Sequence, residues 1–219
     1  MKKIIVSLFI AFAFISCKRE KDEIHKTPEK LGEETLLNTD LLNVPYTLNQ
    51  VLVFKDSLSD SITFTVQQRT NEYQTYYVNS GAIEQDYYLQ EKNITTLFSD
   101  SLTPSSQLII YAKQPEAIDQ SDGLKSMLFK FYLPAEPNTD FYSCGIRYDA
   151  QLNFYATQTM VPIVKHTNYS ILSHSFSNVY ELNNIVQSGI NPTTKLYYSI
   201  SEGIVGFKKL SGQEWYLAN

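Results

Sequence analysis

Residues 61–69, SITFTVQQR, decide the fold class of this chain, because apolar and polar residues alternate along them. The alternation divides the side chains into an apolar set, Ile62, Phe64 and Val66, and a polar set, Thr63, Thr65 and Gln67. Successive side chains of a β-strand point to opposite faces of the sheet. The segment therefore predicts an antiparallel strand with one face against a core and the other in water.

The same strand-forming composition continues on both sides of this segment. Tyr, Phe, Thr, Val and Ile dominate, and the Gly and Pro residues, eight of each, fall mostly between apolar runs. Short runs at even spacing predict an all-β, antiparallel fold with little helix. The one helix candidate is residues 33–42, before Pro45. The predicted strands are 50–55, 61–69, 72–79, 83–92, 107–113, 124–133, 144–149, 152–157, 161–172, 176–182, 195–200, 204–209 and 213–217.

Pairs of adjacent aromatic residues recur along the predicted strands. Neighbours on a strand face opposite ways, so either both faces of the sheet are covered or the outer face is rich in tyrosine. A strongly curved sheet, as a half-barrel or barrel, or a β-sandwich would satisfy this pattern. The aromatic residues that we take as candidates to face a ligand are Tyr76, Tyr77, Tyr87, Tyr88, Tyr197 and Tyr198.

The N-terminus has the pattern of an export signal. Lys2 and Lys3 precede an apolar run over residues 4–15, which is shorter than the ~20 residues of a membrane-spanning helix. The sequence Phe14-Ile15-Ser16-Cys17 then resembles the bacterial lipobox, with Phe14 in place of the usual Leu. The resemblance implies cleavage after Ser16 and acylation of Cys17. A plain signal peptide or a core helix is the alternative, although the flanking charges disfavour the helix.

These features predict three regions: a signal peptide over 1–16, a flexible charged tether over 17–37 that carries the lipid on Cys17, and a single β-rich domain over 38–219. Residues 18–30 are nearly all charged and cannot bury enough apolar surface to fold. Lys18, by resemblance, disfavours retention in an inner membrane, so we expect a lipid-anchored outer-membrane protein. Lys21-Asp22-Glu23 resembles an export tag for display on the cell surface, or is a solvated spacer.

Charge and cysteine content exclude several classes of protein. The net charge is −5, and loss of Lys2 and Lys3 leaves sixteen basic against twenty-three acidic residues, which is −7. Such a chain has no basic stripe, so we expect no nucleic-acid partner. The two cysteines leave only Cys144 beside the lipidated Cys17, so we expect no disulfide and interpret Cys144 as a small buried hydrophobe.

No residue pattern indicates catalysis, a cofactor or a metal site. His166 and His174, taken as one extended strand, lie about 26 Å apart and cannot chelate one ion. Ser173 adjoins His174, but no Gly-x-Ser-x-Gly elbow is present. The acidic segments 56–60 and 119–123 are interpreted as polar turns rather than calcium sites.

The C-terminal residues resemble a family. Phe176–Tyr180, Tyr197–Ser199, Glu202–Phe207 and Gly212–Trp215 are similar to the ending of β-rich lipoproteins of Gram-negative bacteria of the Bacteroidota type, a family without an assigned activity. The resemblance implies a β-rich exported domain. We therefore expect a non-enzymatic lipoprotein of the cell envelope, with the membrane and an envelope protein as partners. The alternative is binding of a glycan or small ligand on a Tyr-rich concave face; a hydrolase is disfavoured.

The last hairpin allows a prediction of register. Ser211-Gly212 between two alternating runs predicts a two-residue turn. Lys209 would then face Glu214 and Phe207 would face Tyr216 across the ribbon. A bulged loop with one more residue would shift one strand and turn every side chain to the other face.

Overall fold

The computed structural model describes residues 27–77, 86–99, 106–112, 125–132, 141–148, 154–156, 163–183, 186–188 and 193–218. These residues form one short helix, α1 (Asn38–Leu41), and a sheet of fourteen strands. The strands are β1 (Lys30–Glu34), β2 (Val51–Asp56), β3 (Ser61–Tyr77), β4 (Tyr87–Phe98), β5 (Ser106–Tyr111), β6 (Lys125–Tyr132), β7 (Phe141–Tyr148), β8 (Phe154–Ala156), β9 (Lys165–Ile171), β10 (His174–Asn183), β11 (Val186–Ser188), β12 (Thr193–Ser199), β13 (Gly203–Lys209) and β14 (Glu214–Leu217).

The sheet is antiparallel and open. Its strands follow the order β11-β7-β6-β5-β4-β3-β2-β14-β13-β12-β10-β9, while β1 and β8 pair with β4 and β7 outside this path. Among the described strands, only β1 runs parallel to its partner. The predicted all-β, antiparallel class with little helix is confirmed, and the sheet is not closed into a barrel.

The sheet curves strongly enough to bring distant strands together. The ring of Phe129 on β6 lies 5.0 Å from the ring of Tyr198 on β12, edge to face. Six strands separate β6 from β12 along the order of the sheet. The two halves of one sheet therefore face each other across a shared core, in the manner of a half-barrel.

The alternation in residues 61–69 sets the inner face of β3. Ile62, Phe64 and Val66 are buried, with exposures of 7 %, 0 % and 0 %, while Thr63 and Gln67 face solvent. Phe64 packs edge to face against Phe54 of β2, with 6.1 Å between the ring centroids. The predicted strands 61–69 and 72–79 are one continuous strand, Ser61–Tyr77.

The helix predicted over 33–42 is wrong over most of its length. Lys30–Glu34 form β1, which pairs in parallel with β4, and only Asn38–Leu41 are helical. Strand β1 also lies within the range 17–37 given to the tether, so pairing with the sheet begins before residue 38. The N–H of Leu37 donates to the carboxylate of Asp40 at 2.7 Å, and this bond fixes the single helical turn.

The predicted register of the last hairpin is also wrong. Lys208 faces Glu214 and Phe207 faces Trp215, one position away from the predicted pairing. The N–H of Lys209 donates to the carbonyl of Gln213, which leaves a three-residue loop over 210–212. Gly212 ends this loop with φ +90°, as bulged three-residue hairpins require.

His166 and His174 lie on two strands, which corrects the single extended strand used to separate them. Leu172 and Ser173 form the turn between β9 and β10, with Leu172 at φ +55°. The tip of this hairpin folds over the outer face of the sheet, because His174 stacks on Tyr216 of β14 at 3.9 Å between ring centroids.

Several predictions fall on residues outside the described part. The lipobox, the signal peptide and most of the tether precede residue 27, the acidic segment 119–123 lies between β5 and β6, and the side chain of Cys144 is not described. The helix within the described residues is too short and too polar to cross a membrane.

Candidate functional site

The six candidate tyrosines do not form one surface. Tyr197 and Tyr198 are buried, with exposures of 2 % and 0 %, so the prediction that they face a ligand is wrong. Tyr198 belongs to the core, and Tyr197 is covered on the other face by Tyr169, 4.8 Å away between ring centroids. Burial also raises the pKa of both Tyr197 and Tyr198.

The other candidates lie on a projecting part of the β3–β4 hairpin. We call this part the arm, and define it as residues 68–77 of β3 with 87–96 of β4. Tyr77 is 55 % exposed and its ring lies 6.2 Å from that of Tyr87. Tyr88 is half-buried. The side chain of Tyr76 lies outside the described residues.

One edge of the arm carries no partner strand. Strand β2 pairs with β3 only as far as Thr65, and Val66 makes the last backbone contacts, with Asn49 and Gln50. From Gln67 to Tyr77, no described residue forms a backbone hydrogen bond with this edge. Alternate residues of a strand present their N–H and C=O groups to such an edge, so the arm offers a template for an added strand.

The free edge begins at a bulge between Val66 and Gln68 and carries Arg69 near its base, but beyond Arg69 it lacks the features that usually prevent strand addition. Residues 70–77, TNEYQTYY, contain no Pro and no Lys, and their only charge is on Glu72. Lysine, proline and bulges are the common means of blocking an edge strand. Tyr73, 52 % exposed, stands on this edge strand together with Tyr77.

The opposite edge of the arm is sealed by β1. Lys30–Glu34 pair with Tyr87–Gln90, beyond the point where β5 ends its pairing with β4. Gly32 allows the close approach of the two strands, because a Cβ there would lie 3.2 Å from the ring of Tyr88. Only the β3 side of the arm therefore stays open among the described residues.

The inner face of the sheet becomes polar where the arm leaves the core. Asn93 donates to Asn71 at 2.7 Å, and Asn71 donates to Glu91 at 2.9 Å. The second carboxylate oxygen of Glu91 accepts from the N–H of Leu36 at 2.9 Å. This polar ladder holds the base of the arm to the segment that follows β1.

Residues 36–50, which we call the plug, pack against strands of both halves of the sheet. Asp40 is buried and forms an ion pair with Lys125 of β6, and the hydroxyl of Tyr148 on β7 donates to it at 3.4 Å. The hydroxyl of Tyr198 donates to the carbonyl of Asn43. Burial, and then the charge of Asp40, raise the pKa of Tyr148. The plug thus joins both halves of the sheet.

An open cleft of about 650 Å³ lies between the plug and the end of β12. Its apolar wall includes Leu41, Leu42, Val44 and Ile200. This volume falls within the usual range of roughly 300–1,000 Å³ for ligand pockets. Leu42 is 71 % exposed, Leu41 and Ile200 are half-buried, and Val44 is buried.

The polar side of the cleft is basic. Arg69 donates to the carbonyls of Tyr46 and Leu41, at 2.8 and 2.9 Å, which fixes the guanidinium group. Lys165 lies 5.4 Å from the centre of the Tyr180 ring. Neither cation has a carboxylate partner among the described residues, and no acidic residue is among those that line the cleft.

A second polar cluster covers the outer face beside Tyr197. Glu181 accepts from His166 at 3.2 Å and forms an ion pair with Lys195. Burial favours a higher pKa for Glu181, but the hydrogen bonds and charges of Lys195 and His166 outweigh it and lower the pKa. Each of these groups therefore already has a partner, as expected of an ion pair that holds strands together.

The described residues do not assemble a catalytic triad. The Oγ of Ser173 lies 3.4 Å from Nδ1 of His174, closer than alternation along one strand predicts, because Ser173 lies in the turn between β9 and β10 and His174 is the first residue of β10. The ring of His174 stacks on Tyr216, and no described carboxylate accepts a hydrogen bond from it. Across the described ranges, no group of His, Cys, Asp and Glu is placed to hold a metal ion.

The acidic segment 56–60 is a polar turn, as predicted. The Oδ1 of Asp56 accepts from the N–H groups of Leu58 and Asp60, both at 2.9 Å. Its Oδ2 accepts from the side chain of Gln213 at 2.6 Å. Both carboxylate oxygens of Asp56 therefore accept hydrogen bonds, one within the β2–β3 turn and the other from Gln213, just before β14.

Comparison with protein-family models, curated proteins and solved structures gives no significant match. The free edge and the cleft are therefore assessed on geometry alone. Sequence patterns did not reveal either site. The free edge depends on where the pairing of β2 with β3 ends, and the cleft depends on where the plug packs against the sheet. The one available signal was that residues 70–77 carry a single charge, on Glu72.

Proposed function

We propose that the protein is a lipid-anchored protein of the outer membrane whose β-domain binds another envelope protein and catalyses no reaction. The observation that carries this proposal is the free edge of β3 along the arm. An extended segment of the partner would pair with this edge and continue the sheet. Backbone hydrogen bonds would supply affinity, and the exposed rings of Tyr73 and Tyr77 would supply contact area.

The chemistry of the edge indicates the type of segment that fits. Along residues 70–77, where Glu72 is the only charge, the edge places no basic group opposite an incoming strand, and it would favour a segment that is neutral or carries a lysine beside Glu72. A lipid on Cys17 and a tether would hold the domain near the membrane, where such segments of other envelope proteins are at high local concentration.

Site-specific photo-crosslinking in living cells tests the proposal. A benzoylphenylalanine residue replaces Thr75, which is exposed on the free edge. The matched control carries the same residue at Thr63, which is also exposed on β3 but pairs with Val53 of β2. We expect a discrete adduct with a second envelope protein from position 75 and none from position 63.

A second variant connects the adduct to strand addition. Thr75→Lys places a charge on the free edge, as edge strands do to prevent pairing. In a chain that carries benzoylphenylalanine at Tyr77, this substitution should abolish the adduct. An adduct that persists, an adduct only with another copy of the same chain, or no adduct from position 75 would each refute the proposed mode of binding.

A further inference from the structure

We propose that the cleft between the plug and β12 binds a small amphiphile with an anionic head group and an apolar chain. This site is separate from the free edge of the arm, and the inference does not depend on strand addition. Its ligand is defined by the two kinds of residue that line the cleft, the cations Arg69 and Lys165 and a set of apolar side chains.

Of the two cations, Arg69 is organised before any ligand arrives. Two donors of the Arg69 guanidinium are used by the carbonyls of Tyr46 and Leu41. An arginine side chain carries five N–H donors, so donors are left for an anion. Because the two carbonyl bonds hold the group rigidly, little side-chain entropy is lost on binding.

The other polar residues that line the cleft add further donors. Lys165, the amide of Asn178 and the hydroxyl of Ser201 all line the cleft. Asn178 has φ +51°, a left-handed conformation within β10. Carboxylate or phosphate oxygens are the acceptors that such a set of donors fits.

The charge of the whole chain makes this local arrangement informative. Acidic residues exceed basic ones, twenty-three to eighteen, yet no described carboxylate neutralises either cation of the cleft. Clefts that carry one sign of charge concentrate ligands of the opposite sign. The excess of acid elsewhere would repel an anion from most other surfaces.

The apolar side chains define the rest of the ligand. Leu42 is 71 % exposed at the mouth of the cleft, beside Leu41, Val44 and Pro45. Burial of apolar surface contributes roughly 25 cal/mol per Å². An alkyl chain laid against Leu42 and the half-buried Leu41 and Pro45 would cover surface that is now in water, while its head group lies at Arg69 and Lys165.

Calorimetric titration of the full chain in nanodiscs of neutral lipid tests the inference, with empty nanodiscs subtracted. The probes are decanoate and decyl phosphate below their micelle concentrations, with decanol and inorganic phosphate as the two halves of the ligand. We expect both anionic amphiphiles to bind at one site per chain, at least about tenfold more tightly than either half. Added salt should weaken binding, because the head group is held by charge.

Two variants locate the site, and one controls for the substitution. Lys165→Gln and Leu42→Glu should each weaken decanoate binding by about tenfold or more, as expected from loss of a charge-assisted hydrogen bond or gain of repulsion. Leu58→Glu is the matched control, because Leu58 is 76 % exposed in the β2–β3 turn, outside the cleft. It should leave binding unchanged.

Three results would overturn the inference. One is decanol binding as tightly as decanoate, and another is an equal loss from Leu58→Glu and Leu42→Glu. The third is that the protein binds vesicles that contain phosphatidylglycerol but binds neither decanoate nor decyl phosphate. This result would indicate that the basic residues of the cleft bind a membrane surface. Equal circular dichroism spectra of all variants establish that the fold is kept.

Discussion

The hydroxyl of Tyr46 accepts a hydrogen bond from the backbone N–H of Ile204 at 2.6 Å, across 158 residues of sequence. Tyr46 is fully buried, and burial raises its pKa. The bond joins the plug to the start of β13. This strand lies in the half of the sheet formed by β14, β13, β12, β10 and β9. The plug is therefore part of the folded core rather than a loop at its end.

Tyr46→Phe removes this acceptor and keeps the ring. The N–H of Ile204 would then be buried without its partner, which should lower the free energy of unfolding by about 1–3 kcal/mol. Chemical denaturation measures the change. Tyr77→Phe, at an exposed ring, serves as the control and should leave stability unchanged within error. Equal effects of the two substitutions would contradict the role given to Tyr46.

Gly203→Ala should destabilise the protein more than Gly212→Ala does. Both glycines have positive φ, +82° and +90°, so an added Cβ costs roughly 1–2 kcal/mol at each position. At Gly203 the new Cβ would also collide with the ring of Tyr46, whereas nothing lies near Gly212. Overpacking adds typically 1–3 kcal/mol, so the free energies of unfolding of the two variants should differ by this amount and Gly203→Ala should have the lower denaturation midpoint. Similar midpoints for Gly203→Ala and Gly212→Ala would indicate that the ring of Tyr46 does not pack against Gly203 in the β12–β13 turn.

The strand content could be predicted from the sequence because it depends on local alternation. Ile62, Phe64 and Val66 showed which face of β3 meets the core, and the structure buries all three. Adjacent aromatic residues also indicated that some strands are covered on both faces. Tyr197 and Tyr198 confirm this and for the same reason cannot face a ligand.

The features that decide the candidate sites depend on contacts between distant residues. Residues 33–42 have a helix-forming composition, but the free edge of β4 past β5 captures Lys30–Glu34 as a strand. The cleft requires Arg69 of β3 to reach the carbonyls of the plug, 23 and 28 residues away in sequence. No pattern within one strand specifies such a contact, so the cleft could not be predicted.

The lipobox prediction concerns residues outside the described part and is tested directly. Cys17→Ser should prevent incorporation of a radiolabelled fatty acid and leave an unprocessed precursor, because sulfur carries the first acyl group in the lipoproteins that this junction resembles. Labelling followed by gel electrophoresis measures both effects. Cys144→Ser is the control and should keep the label. Label retained by Cys17→Ser would refute the proposed anchor.

The register of the last hairpin predicts which charges are coupled. Lys208 and Glu214 lie 2.9 Å apart, and this contact raises the pKa of Lys208. A double-mutant cycle with Lys208→Ala and Glu214→Ala should give a coupling of about 0.2–1 kcal/mol, typical of exposed pairs. The matched cycle with Lys209→Ala and Glu214→Ala should give a coupling near zero. A larger coupling energy between Lys209 and Glu214 than between Lys208 and Glu214 would instead support the two-residue turn predicted from the sequence.

Glu181 should make stability depend on acid pH. Burial alone would raise its pKa, but hydrogen bonds from Lys195 and His166, then their charges, lower it below the ordinary value of 4.5. A carboxylate whose pKa is lower in the folded state contributes stability above its unfolded pKa and loses it as pH falls through the folded value. Glu181→Gln should therefore lower the free energy of unfolding at pH 7 and flatten its decline below about pH 4.5. Urea denaturation across this pH range measures the free energy of unfolding of both proteins.

Glu202→Gln is the control, because Glu202 is an exposed residue of the β12–β13 turn, and it should follow the wild-type curve. A Glu181→Gln curve parallel to that of the wild type would show that the carboxylate has the same pKa in the folded and unfolded chains. It would also show that the ion pair of Glu181 with Lys195 does not hold β10 to β12.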